Sequence, residues 1–327
     1  MKKLLALIVT LAALWSGYWF VGATGLKSGM AAWFDARQSE GWQAEYSDLS
    51  VKGFPNRFDT TLTDPALADP ATGLAWSAPF VQLFALSYQP NHIIAAFPAF
   101  QTLRTPFARL ALKSEKMQAS MIMEPNTDLA FSRANLAATA LTITPEAGGR
   151  THLAGLQTAL TREGPASYRA AFNADGLAPP LPAALTAQLP ETLTAFRADA
   201  TVEFTKPWDI TALEVGRPQP TAIKLHLAEA EWGPLRLAAA GALSIDRTGN
   251  PTGSLTLKAR NWRDILALAT AAGALPQSLA PQIEQGLSLL AGLSGNPATL
   301  DIPLTVSGGY IKIGLIPVAP APRLSIR

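Results

Sequence analysis

The sequence predicts a mainly β protein of the α+β class. One N-terminal transmembrane helix is expected to precede large, curved antiparallel sheets, with a few covering helices near the C-terminus. Three observations give this prediction. An uncharged, apolar run follows two lysines at the start of the chain. Beyond a short predicted helix at 30–43, most apolar residues alternate with polar ones at the strand period of two, and the longest helical spacing comes after residue 260.

The first segment, 1–26, is predicted to be a signal-anchor helix. Lys2 and Lys3 precede an apolar run from Leu4 to Val21. Its 18 residues are just enough to span a bilayer, which takes about 17 to 25. Cleavage near Ala23, among small residues, is the alternative, because a signal peptide has the same charge pattern. Aromatic rings favour the membrane interface, and four of them form a predicted belt at the far end of the run: Trp15, Tyr18, Trp19 and Phe20.

Charge and cysteine content indicate where the rest of the chain lies. Positive residues stay in the cytoplasm, so we expect a single pass through the inner membrane and a C-terminal domain in the periplasm. The absence of cysteine excludes disulfides and thiolate chemistry, and it suits an oxidising compartment. Lys2 and Lys3 supply the whole net charge of +2, and no basic run follows them. A nucleic-acid partner is therefore not expected.

Two hairpins near the C-terminus have the clearest strand pattern. Leu235–Ile245 alternates apolar and polar residues and is followed, after turn-forming residues, by a similar strand at 254–260. The second hairpin joins 300–306 to 310–315 through Gly308-Gly309, which can supply the positive φ angles of a tight turn. Weaker alternation elsewhere, with local turns between short strands, predicts a meandering antiparallel sheet.

Two stretches, 81–88 and 93–97, are apolar on both strand faces. Such strands are covered on both sides, either by helices or as part of a buried groove. An open groove and a closed sandwich stay as alternatives, because both bury alternating apolar residues. The residues expected to line a groove are Leu83, Phe84, Ile94 and Phe97.

Helices are predicted at 30–43, 262–272 and 279–293. For the second of these, Asn261 is the expected N-cap and Gly273 the expected stop. The last two helices are expected to cover part of the sheet.

A proline-rich segment, 177–190, is the expected boundary between two halves of the chain. Proline and glycine interrupt regular structure, and a short helix at 182–188 is the only element expected there. The predicted domains are an N-terminal β-rich half, 27–180, and a C-terminal β-rich half with helices, 181–327.

The sequence contains no motif of catalysis, metal binding or nucleotide binding that we can recognise. His92, His152 and His226 are far apart in sequence, without a matching partner nearby. Glu229 and Glu231 lie on one strand face, which is typical of a solvated surface. We therefore expect no enzymatic activity and no cofactor or metal, with a hydrolase of unrecognised site as an alternative.

A short string at 53–58, Gly-Phe-Pro-Asn-Arg-Phe, precedes a predicted strand. Glycine and proline in this order indicate a tight entry turn. Within it, Arg57 is expected to pair with a buried acid or with a lipid phosphate.

Several segments together resemble a known family: the anchor, the string 53–58, the stretch 249–257 leading into Asn261-Trp262, and the ending 300–324. In that ending, a Leu-x-Ile-Pro-Leu strand, a Gly-Gly turn, a Gly-x-Ile-Pro run and Ala-Pro-Arg-Leu follow one another. The family is the alphaproteobacterial domain of unknown function 2125, and the resemblance implies no activity and no catalytic residues. More distantly, the layout is similar to AsmA-like envelope proteins, whose curved sheets surround an apolar groove and some of which are implicated in phospholipid movement.

Two functions follow as hypotheses. In the first, an anchored periplasmic protein without enzymatic activity holds or guides a lipid-like molecule in an apolar β-groove. In the second, the sheet is a closed core, and the protein is a cell-envelope scaffold whose exposed strand edges bind a protein partner.

Overall fold

The computed structural model describes residues 1–180, 189–214, 216–273, 275–278, 280–293 and 298–326. The chain divides into two compact units, Met1–Gly148 and Gly149–Arg327. The mainly antiparallel β class, the long apolar N-terminal helix and the short helices near the C-terminus are confirmed. The domain boundary expected at 180 stays a prediction, and the helix expected at 182–188 lies outside the described residues.

The first unit begins with one continuous helix, α1 (Lys2–Ser39). The expectation of a separate helix at 30–43 is wrong, because the residues after the anchor include glycines but no proline, and nothing there removes a helical hydrogen bond. The helix ends at Ser39, and the backbone N–H of the C-cap residue Glu40 donates to the carbonyls of Ala36 and Arg37 at 3.1 Å. At 1.5 Å per residue, α1 is about 57 Å long.

The strands of the first unit pair antiparallel as two half-sheets that share β11. One half-sheet has the order β2–β3–β6–β7–β10–β11, and the other β1–β4–β5–β8–β9–β11. The strand bounds are β1 (Gln43–Glu45), β2 (Asp48–Lys52), β3 (Arg57–Thr63), β4 (Ala66–Asp69), β5 (Leu74–Ser77), β6 (Phe80–Leu86), β7 (Gln89–Phe97), β8 (Phe100–Arg104), β9 (Arg109–Lys113), β10 (Lys116–Met123) and β11 (Phe131–Pro145).

The half-sheets meet along a row where neighbouring strands are interrupted at the same level. Within this row, backbone hydrogen bonds still join neighbouring segments of the chain, for example from Ser47 N to Thr63 O at 2.9 Å. Three of the interruptions contain a proline, which has no N–H to donate to a ladder. These prolines are Pro65, Pro79 and Pro98.

The core of the first unit lies between the two half-sheets and the outer part of α1. Phe34 of α1 is 4% exposed and packs with the buried side chains of Leu49, Leu62 and Val81. Trp76, from the other half-sheet, packs against the same cluster. The interruptions therefore let both half-sheets contribute to one core.

The second unit is a meander in which each strand pairs antiparallel with the next, from β12 to β20. Three helices are described in it: α2 (Thr211–Glu214), α3 (Trp262–Ala271) and α4 (Ala280–Leu293). The strand bounds are β12 (Thr151–Arg162), β13 (Ser167–Asp175), β14 (Ala195–Phe204), β15 (Pro220–Trp232), β16 (Leu235–Ile245), β17 (Pro251–Arg260), β18 (Thr299–Ser307), β19 (Tyr310–Ile313) and β20 (Ile316–Pro320).

Helices α3 and α4 cover one face of the second sheet. Trp262 at the start of α3 is 2% exposed and packs with Ala259, Leu300 and Ile302 of the strands and with Ala291 of α4. These strand residues belong to the apolar faces that the alternating sequence predicts. Both helices occupy the predicted ranges to within one residue.

The two predicted hairpins are confirmed as β16–β17 and β18–β19. Gly308 and Gly309 join the second pair with φ angles of +60° and +78°, which suits a two-residue turn. Asn261 is the N-cap of α3, but its side chain does not cap the helix. Instead its Nδ2 donates to the carbonyl of Pro234 at 2.8 Å.

Candidate functional site

The aromatic residues near position 20 of α1 are hydrogen-bonded to the segment 53–58, which we call the docking loop. The indole Nε1 of Trp15 donates to the carbonyl of Pro55 at 3.0 Å, and that of Trp19 donates to the carbonyl of Arg57 at 2.7 Å. The hydroxyl of Tyr18 donates to the carbonyl of Ser87, in the β6–β7 turn, at 2.5 Å. The helix and the first sheet are thus joined by three side-chain donors within two turns of α1.

The docking loop also packs closely against α1. Trp19 is 6% exposed and lies with Ala23 and Phe58 in a small buried cluster. A side-chain carbon at Gly22 would come within 2.7 Å of the Phe58 ring. The ring reaches the helix only because residue 22 has no side chain.

The structure separates the four predicted belt residues by their surroundings. Trp19 is buried against protein, whereas Trp15, Tyr18 and Phe20 stay 36%, 46% and 59% exposed. Their role as an interfacial belt stays a prediction. Sequence reasoning missed the hydrogen bonds that Trp15, Tyr18 and Trp19 donate to the docking loop and to the β6–β7 turn, because the acceptors lie 38 to 69 residues further along the chain.

Arg57, in the docking loop, is the first residue of β3 and forms an ion pair with Asp59. The Arg57 side chain is 57% exposed and that of Asp59 is 18% exposed. Of the two partners expected for Arg57, the structure therefore provides the acid. The guanidinium is exposed enough to contact an additional group in solvent or at a membrane surface.

An apolar cleft of about 360 Å³ lies between α1 and the face formed by β3, β6 and β7. The helix lines it at a spacing of four residues, which places the four positions on one face of α1. Those positions are Tyr18, Gly22, Leu26 and Met30. The wall opposite is formed by Phe58, Thr60, Leu83, Phe84, Ala85, Pro90 and Ile93.

Two of the four predicted groove residues, Leu83 and Phe84, line this cleft, and two do not. Phe97 packs with the core cluster, where its ring meets that of Trp76 edge-on at 6.3 Å. Ile94 lies opposite Phe84 in the β6–β7 register and is 39% exposed. Of the two adjacent isoleucines in β7, Ile93 lines the cleft and Ile94 does not.

Sequence reasoning missed the contribution of α1 to the cleft. The four-residue spacing from Tyr18 to Met30 is visible in the sequence. The spacing does not predict one continuous helix face when residues 1–26 and 30–43 are expected to form separate helices.

A second, polar concavity of about 390 Å³ lies on the sheet of the second unit, around His226. The His226 Nε2 is 2.9 Å from the hydroxyl of Thr201, and Glu163 and Glu203 also line the concavity. Among the described residues, no three histidines or carboxylates are grouped in a way that could hold a metal ion. The nearby ion pair of Arg169 with Asp199 keeps the pKa of Asp199 below its usual value, mainly through the hydrogen bonds that Arg169 donates.

Glu229 differs from the solvated carboxylate that the sequence predicts. Its side chain is 1% exposed and lies between two arginines. Arg197 donates to Oε2 from Nε and Nη2 at 2.6 and 2.5 Å, and Arg236 donates to Oε1 from the same atoms at 2.8 and 2.5 Å. Burial disfavours the charge, but the arginines outweigh it and hold the pKa of Glu229 below its ordinary value.

These features define a class of protein: antiparallel β units preceded by one helix that is long and apolar enough to cross a membrane. Only 6% of the most apolar stretch of α1 is buried in the protein.

The family model described as "Uncharacterized protein conserved in bacteria (DUF2125)" matches residues 19–322, and the chain belongs to this family. No curated protein and no solved structure matches the chain. The more distant likeness to AsmA-like proteins stays a prediction.

Proposed function

We propose that this protein is anchored in the inner membrane by α1, that its β units lie in the periplasm, and that it holds one acyl chain of a membrane lipid without enzymatic action. The observation that carries the proposal is the apolar cleft between the anchor helix and the first sheet. The family is uncharacterised and supplies no activity.

The chemistry of the cleft suits a hydrocarbon chain. Among the described residues, its lining contains no charged side chain, and Tyr18 and Thr60 are the only polar members. Tyr18 already donates its hydroxyl proton to Ser87, and Thr60 is only 1% exposed. A volume of about 360 Å³ lies within the range of about 300–1,000 Å³ found for small-molecule sites.

The position of the cleft favours a bilayer lipid over other apolar ligands. Tyr18 lies within the apolar run of the anchor. Met30 lies about three helical turns after Tyr18, outside the run. A cleft that extends from one to the other begins at the level of the membrane and continues out of it. The apolar molecules available at that level are the acyl chains of the bilayer.

The test compares two tryptophan substitutions in the full-length protein, released from detergent and weighed by native mass spectrometry. Ala85→Trp fills the cleft, whereas Ala137→Trp adds the same side chain at an exposed position of β11. We expect a phospholipid mass on the wild type and on A137W, and its loss from A85W. Both variants keep the same anchor, so lipid held by the anchor surface alone would be retained equally.

Lipid retained by A85W at the wild-type level would contradict the proposal. A wild-type protein that carries no lipid, even after incubation with phospholipid vesicles, would contradict it as well.

The alternative of an envelope scaffold stays a prediction. Strand β20 is exposed along its length, and Leu315 before it is 96% exposed. However, Pro317 and Pro320 lie in this strand and have no N–H to donate. Addition of a partner strand at β20 is therefore not favoured.

A further inference from the structure

We propose that the docking loop is immersed in the interfacial layer of the periplasmic leaflet, together with Tyr88 in the neighbouring β6–β7 turn. The partner of this surface is the bilayer itself. The inference uses the membrane span of α1 from the proposed function, but it does not depend on a lipid in the cleft.

The depth of the loop follows from its contacts with α1. The carbonyls of Pro55 and Arg57 are bound at Trp15 and Trp19, which both lie inside the apolar run. This run is barely long enough for a hydrocarbon core of about 30 Å, so its last turns are needed to complete the span. A loop fixed beside these turns lies at the same depth, well below the end of the anchor.

The hydrogen bonding of the loop suits an environment poor in water. Irregular backbone at membrane depth is stable only where other groups satisfy its polar atoms. Trp15, Tyr18 and Trp19 supply donors to three carbonyls of the docking loop and the adjacent turn. The backbone N–H of Ser87 donates to the carbonyl of Asn56 at 2.9 Å, so a fourth carbonyl is also bound.

Aromatic rings form the exposed surface at this level. Phe54 is 51% exposed and stacks on Phe20 of α1, with ring centroids 5.5 Å apart. Trp19 meets Phe54 edge-on at 5.4 Å, and Tyr88 is 64% exposed. Grouped, exposed aromatic rings mark a binding surface, and the bilayer interface is the environment that such rings prefer.

The absence of cysteine from the sequence makes a direct test possible. Phe54→Cys and Tyr88→Cys are each labelled with an environment-sensitive fluorophore in the full-length protein. The protein is then reconstituted in vesicles of phosphatidylethanolamine and phosphatidylglycerol. The control is Phe107→Cys, which places the probe at a 97% exposed aromatic position in the β8–β9 turn of the same unit.

We expect the probes at 54 and 88 to have blue-shifted emission and to be quenched strongly by lipids with a nitroxide on the acyl chain. Their iodide quenching constants should be severalfold smaller than that of the probe at 107. Equal iodide quenching at all three sites would overturn the proposal. If either Phe54→Cys or Tyr88→Cys fails to fold, the other variant still gives the test. Because the readout is depth, an empty cleft in native mass spectra would leave this result unaffected.

Discussion

Substitution of Glu229 by glutamine should destabilise the second unit, and by more than the same substitution of Glu231 on the same strand. The glutamine keeps the shape of the side chain but removes the negative charge that four guanidinium N–H groups share. It also directs an amide NH₂ at one of the two arginines, which have no acceptor to offer. The loss is therefore one of charge and of hydrogen bonding together.

The magnitude follows from the burial of the three partners. Removing one member of a buried ion pair costs about 3–5 kcal/mol, because a charge is left without compensation. Here the buried member is the one removed, and the side chains of Arg197 and Arg236 are 54% and 47% exposed, so water can solvate them again. We therefore expect the low end, about 3 kcal/mol in the free energy of unfolding. For a domain of this size, this corresponds to a decrease of about 6–12 °C in Tm.

The assay is differential scanning calorimetry of the full-length protein in detergent. The matched control is Glu231→Gln, two residues along the same strand. The carboxylate of Glu231 is 29% exposed and lies 3.4 Å from Arg260. A partly exposed pair of this kind contributes at most about 1 kcal/mol, so E231Q should change Tm much less than E229Q.

The pH dependence gives a second readout. A carboxylate whose folded pKa is lowered stabilises the fold fully above its unfolded pKa, and the contribution is lost as pH falls through the folded value. The Tm difference between wild type and E229Q should therefore be constant from about pH 6 to 8. It should narrow only below the ordinary glutamate value of 4.5. Equal effects of E229Q and E231Q, or a difference that does not narrow in acid, would refute the reasoning.

Two further predictions concern the N-terminal helix α1 and the β16–β17 turn. The anchor should be retained, because cleavage near Ala23 would remove the hydrogen bonds that join α1 to the docking loop. The intact mass of the membrane-extracted protein should therefore correspond to a chain that begins at Met1 or at the residue after it. A new N-terminus near residue 24 would contradict this prediction. Asp246 should hold the β16–β17 turn, because it accepts hydrogen bonds from the side chain and backbone of Thr248 and from the backbone N–H of Asn250, which lower its pKa to about 2. Asp246→Ala should therefore accelerate tryptic cleavage after the exposed Arg247, as followed by mass spectrometry, and unchanged cleavage kinetics would argue against this role.

The sequence predicts well those parts of the fold in which one face of an element is apolar. The hairpins β16–β17 and β18–β19 and the helices α3 and α4 lie where the periods of two and 3.6 place them, because burial of one face fixes both register and type. The two half-sheets of the first unit were not predicted. Prolines 65, 79 and 98 are visible in the sequence, but their common level depends on a strand register that the sequence does not specify.

The candidate site was predicted only in part, for a related reason. Alternation shows which face a residue occupies but not how deeply that face is covered, so Glu229 and Glu231 have the same pattern and different burial. The apolar stretch 81–88 predicts the side of the cleft to which Leu83 and Phe84 belong. The opposite wall belongs to a helix far away in sequence, and its partners are set by tertiary packing.

Under the proposed function, with α1 in the membrane, the continuity of this helix has a consequence for how the protein would encounter a ligand or partner. A flexible tether would let the first unit swing through a hemisphere above its anchor, with a reach that grows with tether length. An uninterrupted helix that is also hydrogen-bonded to the docking loop allows no such swing. Lateral diffusion of the whole molecule then becomes its main means of encounter, and the search is two-dimensional. In the proposed location, the first unit would meet partners or lipids in the plane of the membrane at a constant height and orientation, and it would meet molecules deeper in the periplasm only when they come to the membrane.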